Sequence, residues 1–157
     1  MQHPFSFLIF LLICIAVAAF GMMFKPGDWY MGLIKPGWTP PNWLFPPVWS
    51  LLYLMIAVAG WLAWQRHGVQ GAGLAFSFYA VQLILNGLWS WLFFGLHRAD
   101  LAFLDIVALW LAILGNLILF YGMTAPAGLL LVPYLLWVTY AGALNFMIWR
   151  TNIGRAF

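Results

Sequence analysis

The chain has 157 residues, 66% of them hydrophobic and 6% charged, and it carries 11 tryptophans. Soluble domains average about half apolar and a quarter charged, and a folded chain this short cannot hide such an apolar load from water. That leaves lipid to cover it. The formal charge of +3 comes from six scattered cations with no basic run or polar face, which excludes nucleic acid, and the one cysteine, Cys14, excludes an internal disulfide or a Cys-based metal cluster.

A membrane span needs roughly 20 mostly apolar residues, and the chain offers five such runs within one transmembrane domain covering 1–157. The first is 5–24. Ala16-Val17-Ala18 looks like a signal-peptide cleavage site, but Met1-Gln2-His3-Pro4 has no Lys or Arg and the apolar run is too long for a signal core, so a true span is expected. The next stretch, Lys35-Pro36-Gly37-Trp38-Thr39-Pro40-Pro41-Asn42-Trp43-Leu44-Phe45-Pro46-Pro47-Val48-Trp49, holds five of the nine prolines. Proline fixes φ and pushes the preceding residue out of the helical region, so most of this stretch is expected to be non-helical. Its aromatic surface is costly to leave in water. The expectation is a stiff lid folded over the mouth of a helical bundle.

The second span covers about 48–66, its apolar run closing at Gln65-Arg66-His67-Gly68. A glycine-rich turn over 68–73 leads to the third span, 74–96. The polar turn His97-Arg98-Ala99-Asp100 precedes the fourth, 101–121, and Thr124-Ala125-Pro126-Ala127-Gly128 precedes the fifth, 129–149. Pro133 is expected in the first turns of that last helix, where its missing N–H is tolerated. Lys25, Lys35, Arg98, Arg150 and Arg155 fall on one side of the membrane and Arg66 on the other. The positive-inside rule then places the lid and C-terminus in the cytoplasm and the N-terminus outside, as in a bacterial inner membrane. Ala59 with Ala63, and Ala108 with Ala112, are small pairs that could each seat a helix within the bundle or across a dimer.

Polar side chains inside spans are the candidates for chemistry. Gln82, Asn86 and Trp89 share one helical face. Each amide either makes an interhelical hydrogen bond or borders a cavity, and Asn116 and Asn145 face the same choice, with a structural role favoured. Asp105 is the one acid well inside a span; it either pairs with Arg98 or stands at a pocket mouth. With no second carboxylate nearby, no Ser/His/Asp set and no metal-ligand cluster, hydrolase and metalloenzyme chemistry are not expected. Trp29, Trp43, Trp61, Trp64, Trp110 and Trp149 suit the aromatic belt at the headgroups. Trp137 lies too deep for it. Trp49 opens the second span beneath the lid, and with Trp137 it could sandwich a flat aromatic ligand.

Lys35-Pro36-x-Trp38-x-Pro40-Pro41-x-Trp43 and Pro47-Val48-Trp49-x-x-Leu52-Tyr53 resemble the TspO/translocator protein family. So do Asp28-Trp29-Tyr30, Gln82-x-x-x-Asn86-x-x-Trp89, Phe93-Phe94-Gly95, Pro133-Tyr134-x-x-Trp137 and Leu144-Asn145, and the resemblance covers about residues 8–152. It implies an all-α integral membrane bundle of five helices, dimeric, with the first loop closing a pocket on the cytosolic side. It further implies binding of protoporphyrin, heme-like tetrapyrroles and isoquinoline or benzodiazepine drugs, with no resident cofactor. The pocket residues the resemblance carries over are Trp38, Phe45, Pro46, Val48, Trp49, Asn86, Trp89, Leu101, Leu104, Trp137, Ala141 and Leu144. The two it ties to porphyrin breakdown are Trp49 and Trp137. Phe146 stands where the family's sterol motif wants tyrosine before Arg150, which counts against cholesterol, and Leu101 stands where some relatives have tryptophan.

The favoured function is a membrane receptor or carrier for a tetrapyrrole stacked on Trp49 and Trp137, its propionates drawn by lid cations such as Lys35, with a link to tetrapyrrole transport or stress regulation. The alternatives are light-dependent porphyrin degradation by the same indoles, and a stress-linked membrane scaffold whose partner is a protein.

Overall fold

The computed structural model describes residues 4–68 and 72–154; Arg155, part of the charge pattern above, and residues 69–71 of the expected glycine-rich turn lie outside them, as do residues 1–3. The described chain is helical, with α1 (Pro4–Met22), α2 (Asp28–Gly32), α3 (Phe45–His67), α4 (Gly73–Ser90), α5 (Ala99–Met123), α6 (Ala125–Leu129) and α7 (Val132–Thr151). Five helical stretches are long and apolar enough to cross a membrane, covering Phe5–Met22, Asn42–Arg66, Gly73–Gly95, Ala99–Met123 and Ala125–Thr151. All five expected spans are present. In lipid, a helix satisfies every backbone N–H and C=O internally, and that requirement selects this architecture.

The differences from expectation lie at helix ends. α3 starts at Phe45 rather than Val48, because Pro46 and Pro47 occupy its first turn, where an absent N–H breaks no helical bond. A 3-10 turn at Asn42–Leu44 leads into it, and Pro41 is extended. α4 ends in a π turn over Trp91–Gly95, in which the Leu96 N–H donates to Trp91 O at 2.8 Å and the Arg98 N–H to Leu92 O at 2.9 Å. His97 then closes the corner at φ 57°, with Trp29 stacked on its ring at 4.5 Å. The fifth span is broken into α6 and α7, and Pro133 sits in the first turn of α7 as expected.

α4 packs along α5, α5 along α7, and α1 against both α3 and α4, while α6 wedges between α5 and α3. The main core is built from Ile56, Ala59, Leu109, Ile113, Phe120, Leu131 and Tyr134. Ala59 and Ala63 are fully buried inside the bundle, so that pair serves the fold rather than an outer interface. Ala112 is buried while Ala108 one turn away is exposed. A second cluster joins Tyr30 and Leu33 of the first loop to Phe93, Ala102, Leu144 and Ile148. It seats the base of the lid on the ends of α4, α5 and α7.

The lid is pinned to α7 by hydrogen bonds. The Tyr140 hydroxyl donates to Trp38 O at 2.6 Å, the Ile34 N–H to Asn152 Oδ1 at 3.0 Å, and Asn152 Nδ2 returns a bond to Ile34 O at 2.9 Å. Lys35 folds back on its own segment: Nζ donates to Tyr30 O at 2.5 Å and to Leu33 O at 3.3 Å, and lies 4.5 Å from the Tyr30 ring centroid. Proline stiffness sets the lid's local path, and these bonds fix where it lies.

Candidate functional site

Beneath the lid lies a cavity of about 690 Å³ walled by α1, the first loop, α3, α4, α5 and α7. That volume falls within the roughly 300–1,000 Å³ typical of small-molecule sites. Trp49 and Trp137 both line it. The Trp49 ring lies 5.6 Å from that of Tyr53 and 6.3 Å from that of Tyr134, edge to face. Phe45 meets Trp137 edge to face at 5.9 Å. The rings are therefore held by other rings.

Asn86 is the polar centre of the wall. Its Oδ1 accepts from the Tyr53 hydroxyl at 2.5 Å and its Nδ2 donates to the Tyr134 hydroxyl at 2.8 Å, so one amide ties α3 to α4 and α4 to α7. Trp89 also lines the cavity, and its indole N–H donates to Asn145 Oδ1 at 2.9 Å. Asn145 Nδ2 donates in turn to Ala99 O at 2.8 Å. Trp137 Nε1 is buried and has no hydrogen-bond partner among the described residues. An unpaired buried indole N–H is a donor waiting for an acceptor.

Of the residues proposed by resemblance, Phe45, Pro46, Trp49, Asn86, Trp89, Trp137 and Ala141 share this cavity. Five do not line it. Trp38 lies on the lid against Tyr140, with ring centroids 5.4 Å apart. Val48 packs on the main core, Leu101 on the second cluster and Leu144 within it. Leu104 is 66% exposed on the outer surface, because α5 turns its Ala102, Ile106 and Leu109 face inward instead.

The polar alternatives also resolve residue by residue. Asn116 and Asn145 make structural bonds, Asn116 Nδ2 donating to Ala75 O at 3.0 Å. Gln82 is buried with neither amide atom bonded among the described residues and does not reach the cavity. Asp105 is neither paired with Arg98 nor at the cavity mouth: Arg98 forks onto Asp100, with Nη2 2.6 Å from Oδ2, because Asp100 is two residues away at the same exposed helix start. Lys35, spent on lid carbonyls, does not line the cavity; Lys25 does. Resemblance and spacing also missed Cys14, Gly21, Tyr53 and Phe94, which contribute wall. Tyr53 and Phe94 stand in the motifs Pro47-Val48-Trp49-x-x-Leu52-Tyr53 and Phe93-Phe94-Gly95, but the resemblance did not carry them over as pocket residues. Nothing in α1 distinguishes its cavity side from its lipid side, since the helix is apolar all round.

A model of the TspO/MBR family matches residues 10–150 of the chain. The chain belongs to the TspO/MBR family. It is 44% identical over 149 residues to Protein CrtK of Rhodobacter capsulatus, covering 94% of this chain and 93% of that one. It is 41% identical to the tryptophan-rich sensory protein of Cereibacter sphaeroides, covering 95% and 92%, and 35% identical to the translocator protein of Homo sapiens, covering 85% and 82%. The TspO/MBR family member described here is thus an integral membrane protein whose five-span bundle encloses an aromatic cavity.

Removing the Asn86 amide tests its bridging role. Asn86→Leu leaves two tyrosine hydroxyls without their partner, each costing about 1–3 kcal/mol when buried and unpaired. A lower midpoint in detergent-based thermal unfolding is expected, with most of the loss recovered in Asn86→Leu/Tyr53→Phe/Tyr134→Phe.

Proposed function

We propose that this protein is a membrane receptor or carrier for a flat, carboxylate-bearing tetrapyrrole of the protoporphyrin or heme type, a site that also admits isoquinoline and benzodiazepine compounds. The observation that carries the reading is the pair of indoles, Trp49 and Trp137, on the wall of one apolar cavity. Offset stacking contributes about 0.5–1.5 kcal/mol per pair beyond area burial, so apolar enclosure supplies most of the affinity and the indoles supply preference for planar rings. Names of relatives such as the translocator protein of Homo sapiens and the tryptophan-rich sensory protein of Cereibacter sphaeroides fit a transport or sensing role. In this reading the protein sits as a homodimer in a bacterial inner membrane, lid and C-terminus in the cytoplasm, and takes no cholesterol.

A second reading is favoured by the same two indoles: light-dependent degradation of the bound porphyrin, in which light excites the porphyrin and the adjacent tryptophans are required for its breakdown. One titration separates the cases. Protoporphyrin IX added to purified protein in nanodiscs should quench tryptophan emission saturably at micromolar levels in the dark. Absence of quenching would overturn both readings in favour of a scaffold role. Under illumination, bound porphyrin that bleaches no faster than in Trp49→Phe/Trp137→Phe would remove the degradative reading alone.

A further inference from the structure

The cavity wall is not equally closed all round. Where α5 faces it, the lining residues are buried, Ile106 at 4% and Leu109 at 2% exposure, and on α4 and α7 they are buried or half-buried. Where α1 and α3 face it, several lining residues are far more exposed: Ile15 is 52% exposed, Met22 66% and Leu54 46%. A side chain that borders an internal cavity and the outside at once marks a thin or open wall.

The course of α1 explains this. At the end away from the lid, α1 lies on α3: Trp61 Nε1 donates to Ser6 Oγ at 3.2 Å, and the Phe7 and Trp61 rings meet at 5.6 Å. α1 also touches α4 from Phe10 onward, that ring lying 6.2 Å from Phe76 and 5.8 Å from Tyr79, and toward the lid its contacts with α4 continue. A Cβ on Gly87 would meet Phe20 Cδ1 at 3.3 Å, and one on Gly95 would meet Phe24 Cδ1 at 2.9 Å, so these glycines admit Phe20 of α1 and Phe24 just after it closely. α1 thus keeps α4 along its length while the cavity parts its lid-side half from that of α3, and the resulting wedge faces the bilayer.

We infer that ligand enters the cavity sideways from the bilayer, through the gap between the lid-side halves of α1 and α3, with Lys25 at its rim receiving the ligand's carboxylates. This rests on the binding reading above. The lid is the poorer door, since opening it breaks its bonds from Tyr140 and Asn152 of the α7 end. The wedge needs no bond broken. Lys25 lines the cavity and is exposed, and a cation at that level suits an amphiphile whose rings travel among acyl chains while its acid groups stay at the headgroups.

The test uses full-length protein in nanodiscs, in a Cys14→Ser background. Ile15→Cys/Leu54→Cys is bridged across the gap, and Trp38→Cys/Tyr140→Cys between lid and α7, each with a reducible bifunctional methanethiosulfonate. The rate of tryptophan quenching is followed after mixing with protoporphyrin-loaded vesicles. Bridging the gap should slow loading about tenfold or more, reductant should restore it in the same sample, and bridging the lid should leave it unchanged. Equal loading rates for the bridged and reduced gap, or slowing by the lid bridge alone, would overturn the side entry and leave the binding reading standing. Reduced protein that shows no saturable quenching overturns both.

Discussion

Ala141→Phe is expected to raise the dissociation constant for protoporphyrin at least about tenfold, or about 1.4 kcal/mol, while leaving the thermal midpoint within a few degrees. Ala141 lines the cavity one helical turn beyond Trp137, where a methyl group leaves the face of the neighbouring indole open. A benzyl group there fills space that a flat ligand would occupy. The cavity is empty of protein atoms, so the ring enters it without displacing core side chains, and the usual cost of overpacking is avoided. Ala141→Ser is the matching control, since it adds one atom and keeps the opening; its affinity should stay within about threefold of the parent. Dark fluorescence quenching measures both. Unchanged affinity in the phenylalanine variant would move the ligand away from Trp137.

Gly128→Ala is expected to be the most destabilising small substitution in the chain, lowering stability by about 2–3 kcal/mol, the upper part of the overpacking range. A Cβ at Gly128 would stand 2.5 Å from Tyr121 Cβ and 2.7 Å from both Tyr121 Cα and N. Two of those atoms are backbone, and no rotamer change relieves them. The packing of α6 on the end of α5 must shift, and with it the start of α7. Gly122→Ala, six residues earlier in the chain, meets nothing within 4 Å and replaces a poor helix former by the best one, so it should be neutral or slightly stabilising. Thermal unfolding of the two variants in one detergent decides the matter. Equal midpoints would mean that α6 moves freely against α5.

The side chains resolved differently from the helices. Gln82, Asn86 and Trp89 share one face of α4, as i, i+4 and i+7 spacing requires, yet Asn86 and Trp89 border the cavity and Gln82 does not. A helical face curves past several neighbours over two turns, and spacing cannot tell which neighbour stands opposite. Asp105 and Arg98 were a natural pair along α5, but Asp100 lay nearer. Lys35 was the natural lid cation for an acid ligand, but the carbonyls of its own turn took it, and Lys25 holds the cavity position instead.

Composition alone determined that the chain lives in lipid, because 66% hydrophobic residues and 6% charged leave a chain of this size no other solvent. Hydropathy determined five spans, since it acts within the local chain; the prolines kept only residues 35–41 out of helix, because Asn42–Leu44 form a 3-10 turn and Pro46 and Pro47 fit the first turn of α3. The ordered tryptophan and proline motifs pointed to the TspO/MBR family and to Trp49 and Trp137. Only the tertiary structure decided that those indoles share one cavity, that Asn86 ties two tyrosines behind it, that Leu104 faces outward, and that the cavity parts the lid-side halves of α1 and α3. Each of these depends on how a helix is rotated and tilted against its neighbours. In a chain apolar on nearly every face, hydrophobic periodicity carries little record of rotation; the small and polar residues that record it can be read only beside the residues they touch.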